Sequence, residues 1–184
     1  MMSLEEEIFM FIDLSEVMSV RDKTLTISAE IEADSFHTAN GAYKYVGPKE
    51  ADLTFVNSGK RKVILTGIIK ATLSIPCDRC LEPVLVDFSI DVCKEIDMSG
   101  QADPDTMDEM SKYVSEDSMF DTEEFIYNEI LVNLPMKVLC KEDCKGICNK
   151  CGANLNKESC DCNTKELDPR MAKVLEVFNQ FKEV

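Results

Sequence analysis

The chain has 184 residues, with 35 Asp plus Glu against 20 Lys plus Arg and a formal net charge of -15. A chain of that charge repels polyphosphate as a whole, which excludes broad non-specific nucleic-acid binding. A single His excludes a His-rich metal centre and any His–His catalytic pair. The opening residues Met1 to Glu7 are acidic where a secretory signal is basic, and no apolar run is long enough to span a bilayer. A cytoplasmic protein is expected, and in that compartment clustered cysteines read as metal ligands before disulfides.

The first half reads as strands. Leu25, Ile27, Ala29 and Ile31 alternate with Thr24, Thr26, Ser28 and Glu30. The segment from Gly41 to Pro48 reads as a loop, Ala51 to Val56 as a short strand, and Asn57-Ser58-Gly59-Lys60 as a turn. Val63, Leu65, Gly67, Ile69, Ala71, Leu73 and Ile75 occupy every odd position of a long strand. After a break at Pro76 to Pro83, the even positions Val84, Val86, Phe88, Ile90 and Val92 take over. Two alternating strands around a short polar connection predict an antiparallel hairpin with Cys77-Asp78-Arg79-Cys80 at its tip.

From Glu95 to Glu124 eleven acids face one base, Lys112, which reads as an acidic loop or linker. A helix is predicted to start at Asp121 or Thr122, with Phe125, Ile126, Ile130, Leu131 and Leu134 as its apolar stripe and Pro135 as its stop. A second helix is signalled by Asp168 as cap, Pro169 in the first turn, and Met171, Val174, Leu175 and Phe178 at helical spacing. The expected fold is α+β: an antiparallel sheet or partly closed barrel with a few helices and a C-terminal zinc-knuckle module. The expected division is a β domain over 1–96, an acidic loop over 97–121, and a helix, cysteine-rich module and C-terminal helix over 122–184.

Six of the nine cysteines, Cys140, Cys144, Cys148, Cys151, Cys160 and Cys162, fall within 23 residues rich in Lys, Asn and Gly. Thiolates this close repel unless a cation neutralises them, and zinc holds four tetrahedrally. Cys148-x-x-Cys151-Gly152 has the form of a zinc knuckle, and Cys160-x-Cys162 follows it. One or two Zn2+ per chain are expected. The grouping that closes the count is Cys148/Cys151/Cys160/Cys162, which is local, and Cys77/Cys80/Cys140/Cys144, which requires the segment after Pro135 to fold back onto the hairpin tip. A shared site joining Cys77 and Cys80 to Cys148 and Cys151 is the alternative. Cys93 has no companion and reads as a free thiol, and His37 reads as a solvent-facing residue. All-thiolate sites are closed, and no nucleophile, phosphate-cradling loop or carboxylate pair stands in a recognisable context, so no enzyme is expected.

Several segments together resemble one family. They are Cys77-Asp78-Arg79-Cys80-Leu81, Ile130-Leu131-Val132-Asn133-Leu134-Pro135, Leu139-Cys140 through Cys148, Cys151-Gly152-Ala153-Asn154-Leu155-Asn156, Cys160-x-Cys162 and Asp168-Pro169-Arg170. The chain resembles the YceD family, the large ribosomal RNA subunit accumulation proteins, in the Gram-positive form with a C-terminal cysteine cluster. The resemblance implies a cytoplasmic factor supporting accumulation of large-subunit ribosomal RNA, in a family often encoded beside a small large-subunit ribosomal protein. It carries over no catalytic residue.

From Lys137 to Arg170 the bases slightly outnumber the acids, so a local contact with large-subunit RNA precursor through Arg79, Lys141, Lys145 and Lys150 is compatible with the overall charge. An acidic chain equally suits a basic ribosomal protein as partner. Neither a membrane nor a small-molecule substrate is expected. The rival readings are a redox-regulated zinc switch or chaperone-like binding protein, because Cys-x-Cys and Cys-x-x-Cys pairs release zinc on oxidation, and, more weakly, an RNA-processing enzyme.

Overall fold

The computed structural model describes residues 11–98 and 110–162, together with Met171 and Val174. Two compact units divide the chain: Met1–Ile75 with Pro83–Val138, and Pro76–Glu82 with Leu139–Val184. This division follows contacts rather than composition. The helix after Asp121 goes with the sheet, and the hairpin tip goes with the cysteines.

The first unit contains β1 (Phe11–Asp13), α1 (Ser15–Ser19), β2 (Thr24–Glu30), β3 (Ser35–Thr38), β4 (Gly41–Gly59), β5 (Lys62–Pro76), β6 (Pro83–Asp97), β7 (Met119–Asp121) and α2 (Thr122–Val132). The large sheet has the order β2-β4-β5-β6, with β3 also on β4, and β1 pairs β7 in a small antiparallel ribbon. The pairings are antiparallel, and the sheet is open rather than a closed barrel among the described residues.

The period-2 pattern decides which face is covered. Val63, Leu65, Ile69, Ala71, Leu73 and Ile75 of β5 are buried, as are Phe88, Ile90 and Val92 of β6. Gly67 breaks the apolar series for a steric reason. Opposite Leu53 on β4, a Cβ at this position would fall on the Asp52 carbonyl oxygen.

The segment Gly41–Pro48, expected as a loop, is instead the first half of the 19-residue strand β4. Its punctuating residues sit in a bulge: the register shifts between Tyr45, opposite Leu73, and Lys49, opposite Ala71. Val46, Gly47 and Pro48 stand across from Thr72 alone, so the bulge takes up Pro48 where a ladder hydrogen bond is not required. The turn that follows is also displaced. Lys60 and Arg61 form the two-residue link, both in the left-handed region (φ 55° and 59°), while Asn57 is buried inside the strand. Asn57 Nδ2 donates to the carbonyls of Val17, Met18 and Val20 (3.1, 3.2 and 2.9 Å), closing the end of α1, and its Oδ1 accepts from Gly59 N.

The acidic stretch differs most from its expectation. β6 continues to Asp97, a 3₁₀ turn occupies Ser111–Tyr113, and β7 follows; residues 99–109 lie outside the described residues. Met110, Tyr113 and Phe120 are buried. Phe120 stacks edge-on against Phe55 of β4 (centroids 5.2 Å apart) and lies 5.4 Å from Phe125 of α2. Among the described acids of this stretch, Glu95, Glu116, Asp117, Glu123 and Glu124 are exposed, while Met110, Tyr113 and Phe120 belong to the core.

α2 begins as its sequence predicts: Asp121 is the N-cap, its carboxylate accepting from Glu124 N at 2.9 Å. Phe125, Ile126 and Ile130 are buried, and Glu129 pairs with Lys94 of β6 (3.2 Å). Of the expected C-terminal helix, only Met171 and Val174 are among the described residues, both exposed. Among those residues, no helix is long and apolar enough to cross a membrane.

Candidate metal centres

The second unit is built on two copies of one turn. In Cys77-Asp78-Arg79-Cys80-Leu81-Glu82, Leu81 N donates to Cys77 O (2.9 Å) and Cys77 N to Glu82 O (2.8 Å). In Cys148-Asn149-Lys150-Cys151-Gly152-Ala153, Gly152 N donates to Cys148 O (2.9 Å) and Cys148 N to Ala153 O (2.8 Å). The fifth residue of each is left-handed, Leu81 at φ 61° and Gly152 at φ 75°. Backbone N–H groups at the third and fourth positions point at the first sulfur: those of Arg79 and Cys80 at Cys77, those of Lys150 and Cys151 at Cys148. Each turn therefore offers two thiols on one side, with the leading sulfur already hydrogen-bonded.

Cys140 and Cys144 complete the first turn, and Cys160 and Cys162 complete the second. In each group of four the sulfurs all lie within 4.8 Å of one another. Cys77 Sγ is 3.9 Å from Cys144 Sγ, and Cys80 Sγ is 3.5 Å from Cys140 Sγ. A tetrahedron of thiolates around an ion with bonds of about 2.3 Å has edges of about 3.8 Å, so the donor set and its spacing fit a four-coordinate metal. None of the nine cysteines is in a disulfide. The structure brings together the local grouping and the long-range grouping, rather than one shared site. Cys93 is exposed on β6 outside both groups.

The thiol electrostatics explain why a cation belongs there. Burial raises the Cys77 thiol, but the N–H groups of Arg79, Cys80 and Cys140 outweigh it and hold it down at about 6. The N–H groups of Cys151 and Lys150 bring Cys148 to about 6 as well. Their neighbours move the other way. The Cys80 sulfur, then burial, pushes Cys140 up to about 12, and the Cys151 sulfur, then burial, does the same to Cys162. Without a cation each group ionises only in part, because the first thiolates oppose the rest. A divalent ion removes that opposition.

The two centres are tied by residues that sequence reasoning did not single out as site residues. Glu82, at the end of the first turn, accepts from Asn154 Nδ2 (3.2 Å) and pairs with Lys157 (2.7 Å) just beyond the second. Lys157 depresses the Glu82 carboxyl, and Glu82 raises the Lys157 ammonium in return. Asn156 Nδ2 donates to Cys144 Sγ (3.3 Å), and its Oδ1 accepts from Lys145 N. The usable signal was Asn154-Leu155-Asn156 directly after a cysteine turn, since Asn side chains supply such local donors.

The proposed contact bases are placed as follows. Arg79 is at the surface, with Nη1 donating to Cys144 O (2.8 Å), so its guanidinium braces the first centre. Lys141 is 3.8 Å from Asp143, and Lys141, Lys145 and Lys150 are all exposed.

The family model for "Large ribosomal RNA subunit accumulation protein YceD" matches residues 65–178, a span that contains all eight clustered cysteines. The chain belongs to the YceD family. Among curated relatives, a YCED homolog 1, chloroplastic, of Arabidopsis thaliana is 31% identical, over 59% of this chain and 42% of its own length. An uncharacterized protein of Mycobacterium tuberculosis is 30% identical, over 67% of this chain and 59% of its own. The Zea mays YCED homolog 1, chloroplastic, is 26% identical, over 65% and 51%. The matches thus span about half the length of these relatives. No solved structure matches the chain. The family's description concerns accumulation of the large ribosomal RNA subunit.

Proposed function

We propose that this chain is a non-enzymatic ribosome-biogenesis factor that supports accumulation or processing of the large-subunit (23S) ribosomal RNA. The carrying observation is the family match over residues 65–178 together with the two four-cysteine groups inside it. Zinc is the metal that suits four thiolates with no His or carboxylate donor. It would be held by Cys77, Cys80, Cys140 and Cys144 and by Cys148, Cys151, Cys160 and Cys162. There it supplies a closed, structural cross-link rather than an open Lewis-acid position. The module presents Lys141, Lys145 and Lys150 to a large-subunit RNA precursor, its acidic sheet unit disfavouring non-specific RNA.

The test is capture of the tagged chain from crosslinked growing cells, divided between RNase-treated and untreated halves. Enrichment of 23S precursor that RNase abolishes is the expected result. RNase-resistant enrichment of a basic ribosomal protein would move the contact from RNA to protein, and unchanged subunit profiles in a deletion strain would sink the biogenesis role.

A redox switch is the second reading, favoured by the exposure of Cys140 and Cys151. Hydrogen peroxide, with two protons from solvent, would take two electrons from a pair of thiolates, forming a disulfide and two waters and releasing the metal. Retention of metal under millimolar peroxide would exclude it.

A further inference from the structure

A cavity of about 370 Å3 lies within the sheet unit, between the β2–β3 connection and the first turn of α2. Its size falls in the range of ligand sites. Ile31, Phe36 and Ile126 form its apolar wall, and Tyr127 stacks on Phe36 with centroids 4.9 Å apart. Tyr127 Oη also donates to His37 O at 2.8 Å, which fixes the aromatic side of the wall.

Two independent features make this more than a surface hollow. Thr122, only 3% exposed, lines it, and its hydroxyl is a buried group with no hydrogen-bond partner among the described residues. Such an orphan is costly unless a ligand supplies the missing bond. The mouth carries Glu32 and Glu123, both exposed, and no cation pairs with either carboxylate among the described residues. Lys49 is directed at the backbone carbonyls of Glu32 and Ala33.

An apolar floor beneath an acidic rim selects a ligand with an apolar group flanked by positive charge. The β2 edge beside it pairs only with β4 among the described residues, leaving backbone groups able to receive an extended chain. We propose that this pocket binds a cationic peptide segment, which inserts one apolar side chain against Phe36 and Ile126 while its flanking Lys or Arg residues meet Glu32 and Glu123. The site lies in the sheet unit, and the inference stands whatever the cysteine centres hold.

His37 lines the pocket and is the chain's one imidazole, so its ring resonances report binding without assignment. The experiment titrates the full chain with the amidated pentapeptide Lys-Lys-Phe-Lys-Lys, with Lys-Lys-Ala-Lys-Lys, and with phenethylammonium. The Phe peptide should shift the His37 signals saturably and bind at least about tenfold tighter than the Ala peptide. The exposed-site double variant E32Q/E123Q, its remaining spectrum unchanged, should bind it about three- to tenfold more weakly. Equal binding of the two peptides would reduce the effect to general ionic attraction and overturn the proposal. So would phenethylammonium binding as tightly as the Phe peptide, or no shift at millimolar peptide.

Discussion

Leu81 and Gly152 occupy the same place in two copies of one turn, and only one of them is a glycine. The left-handed backbone costs an L-residue about 1–2 kcal/mol, whereas glycine adopts it freely. Leu81 is 64% exposed, so its side chain returns little of that cost through burial.

The two positions therefore predict opposite responses. A Cβ at Gly152 meets nothing within 4 Å, so Gly152→Ala acts through backbone strain alone. It should weaken metal retention by the second centre about fivefold, equivalent to about 1 kcal/mol. Leu81→Gly should be neutral or tighten the first centre slightly, since relief of strain is opposed by about 0.5–1 kcal/mol of glycine backbone entropy. Competition against a chromophoric chelator measures both; equal losses in the two variants would show that the turns are not equivalent.

Metal content gives a second expectation. The protein should carry one or two zinc ions per chain by elemental analysis, and Cys148→Ser should lose one of them and loosen the cysteine unit while the sheet unit stays folded. Amide exchange in Leu65 and Leu73 of β5, fully buried in the sheet unit, is the internal control. A metal-free chain with a rigid cysteine unit would refute the ligand assignment.

Proton release is the third. Cys77 and Cys148, held at about 6, are ionised at pH 7.5, whereas Cys80, Cys140, Cys160 and Cys162 are raised. Cys144 is lowered as well, so metal binding to the first centre should expel about two protons at pH 7.5, those of Cys80 and Cys140. Because the bound state is the deprotonated one, the stabilisation is complete at high pH and lost as pH falls. Affinity of the first centre should drop about a hundredfold per unit between pH 7.5 and 6.5. A pH indicator in weakly buffered zinc titrations reads the stoichiometry directly, and absence of proton release would contradict the thiol pattern.

Asn57 supplies the fourth. Its amide satisfies three carbonyls at the end of α1, so Asn57→Ala leaves buried acceptors unpaired and should cost about 2–3 kcal/mol in chemical unfolding of the sheet unit. A loss below about 0.5 kcal/mol would mean that water replaces the amide.

Side-chain periodicity made β2, β5, β6 and α2 legible, because one buried face imposes period 2 or 3.6 on the sequence. It failed where a long-range partner overrides local chemistry. Gly47 and Pro48 mark a break, yet β5 runs past them and absorbs them as a bulge. Charge density hid Met110, Tyr113 and Phe120, three buried side chains spaced among acids in no regular period. The eight cysteines of the two groups were legible from spacing and count. Their braces, Glu82 and Asn156, were not, since a polar residue beside a turn has the same sequence appearance whether it faces water or a thiol.

The first centre joins sulfurs 60 and 67 positions apart, Cys80 with Cys140 and Cys77 with Cys144. On a ribosome adding about 5–20 residues per second, the leading pair emerges and then waits about 3–13 seconds for its partners. During that interval it is a two-thiol chelate, open to exchange or oxidation. The cysteine unit is accordingly not a detachable tail: a fragment starting after α2 would carry the second centre whole and the first with half its sulfurs.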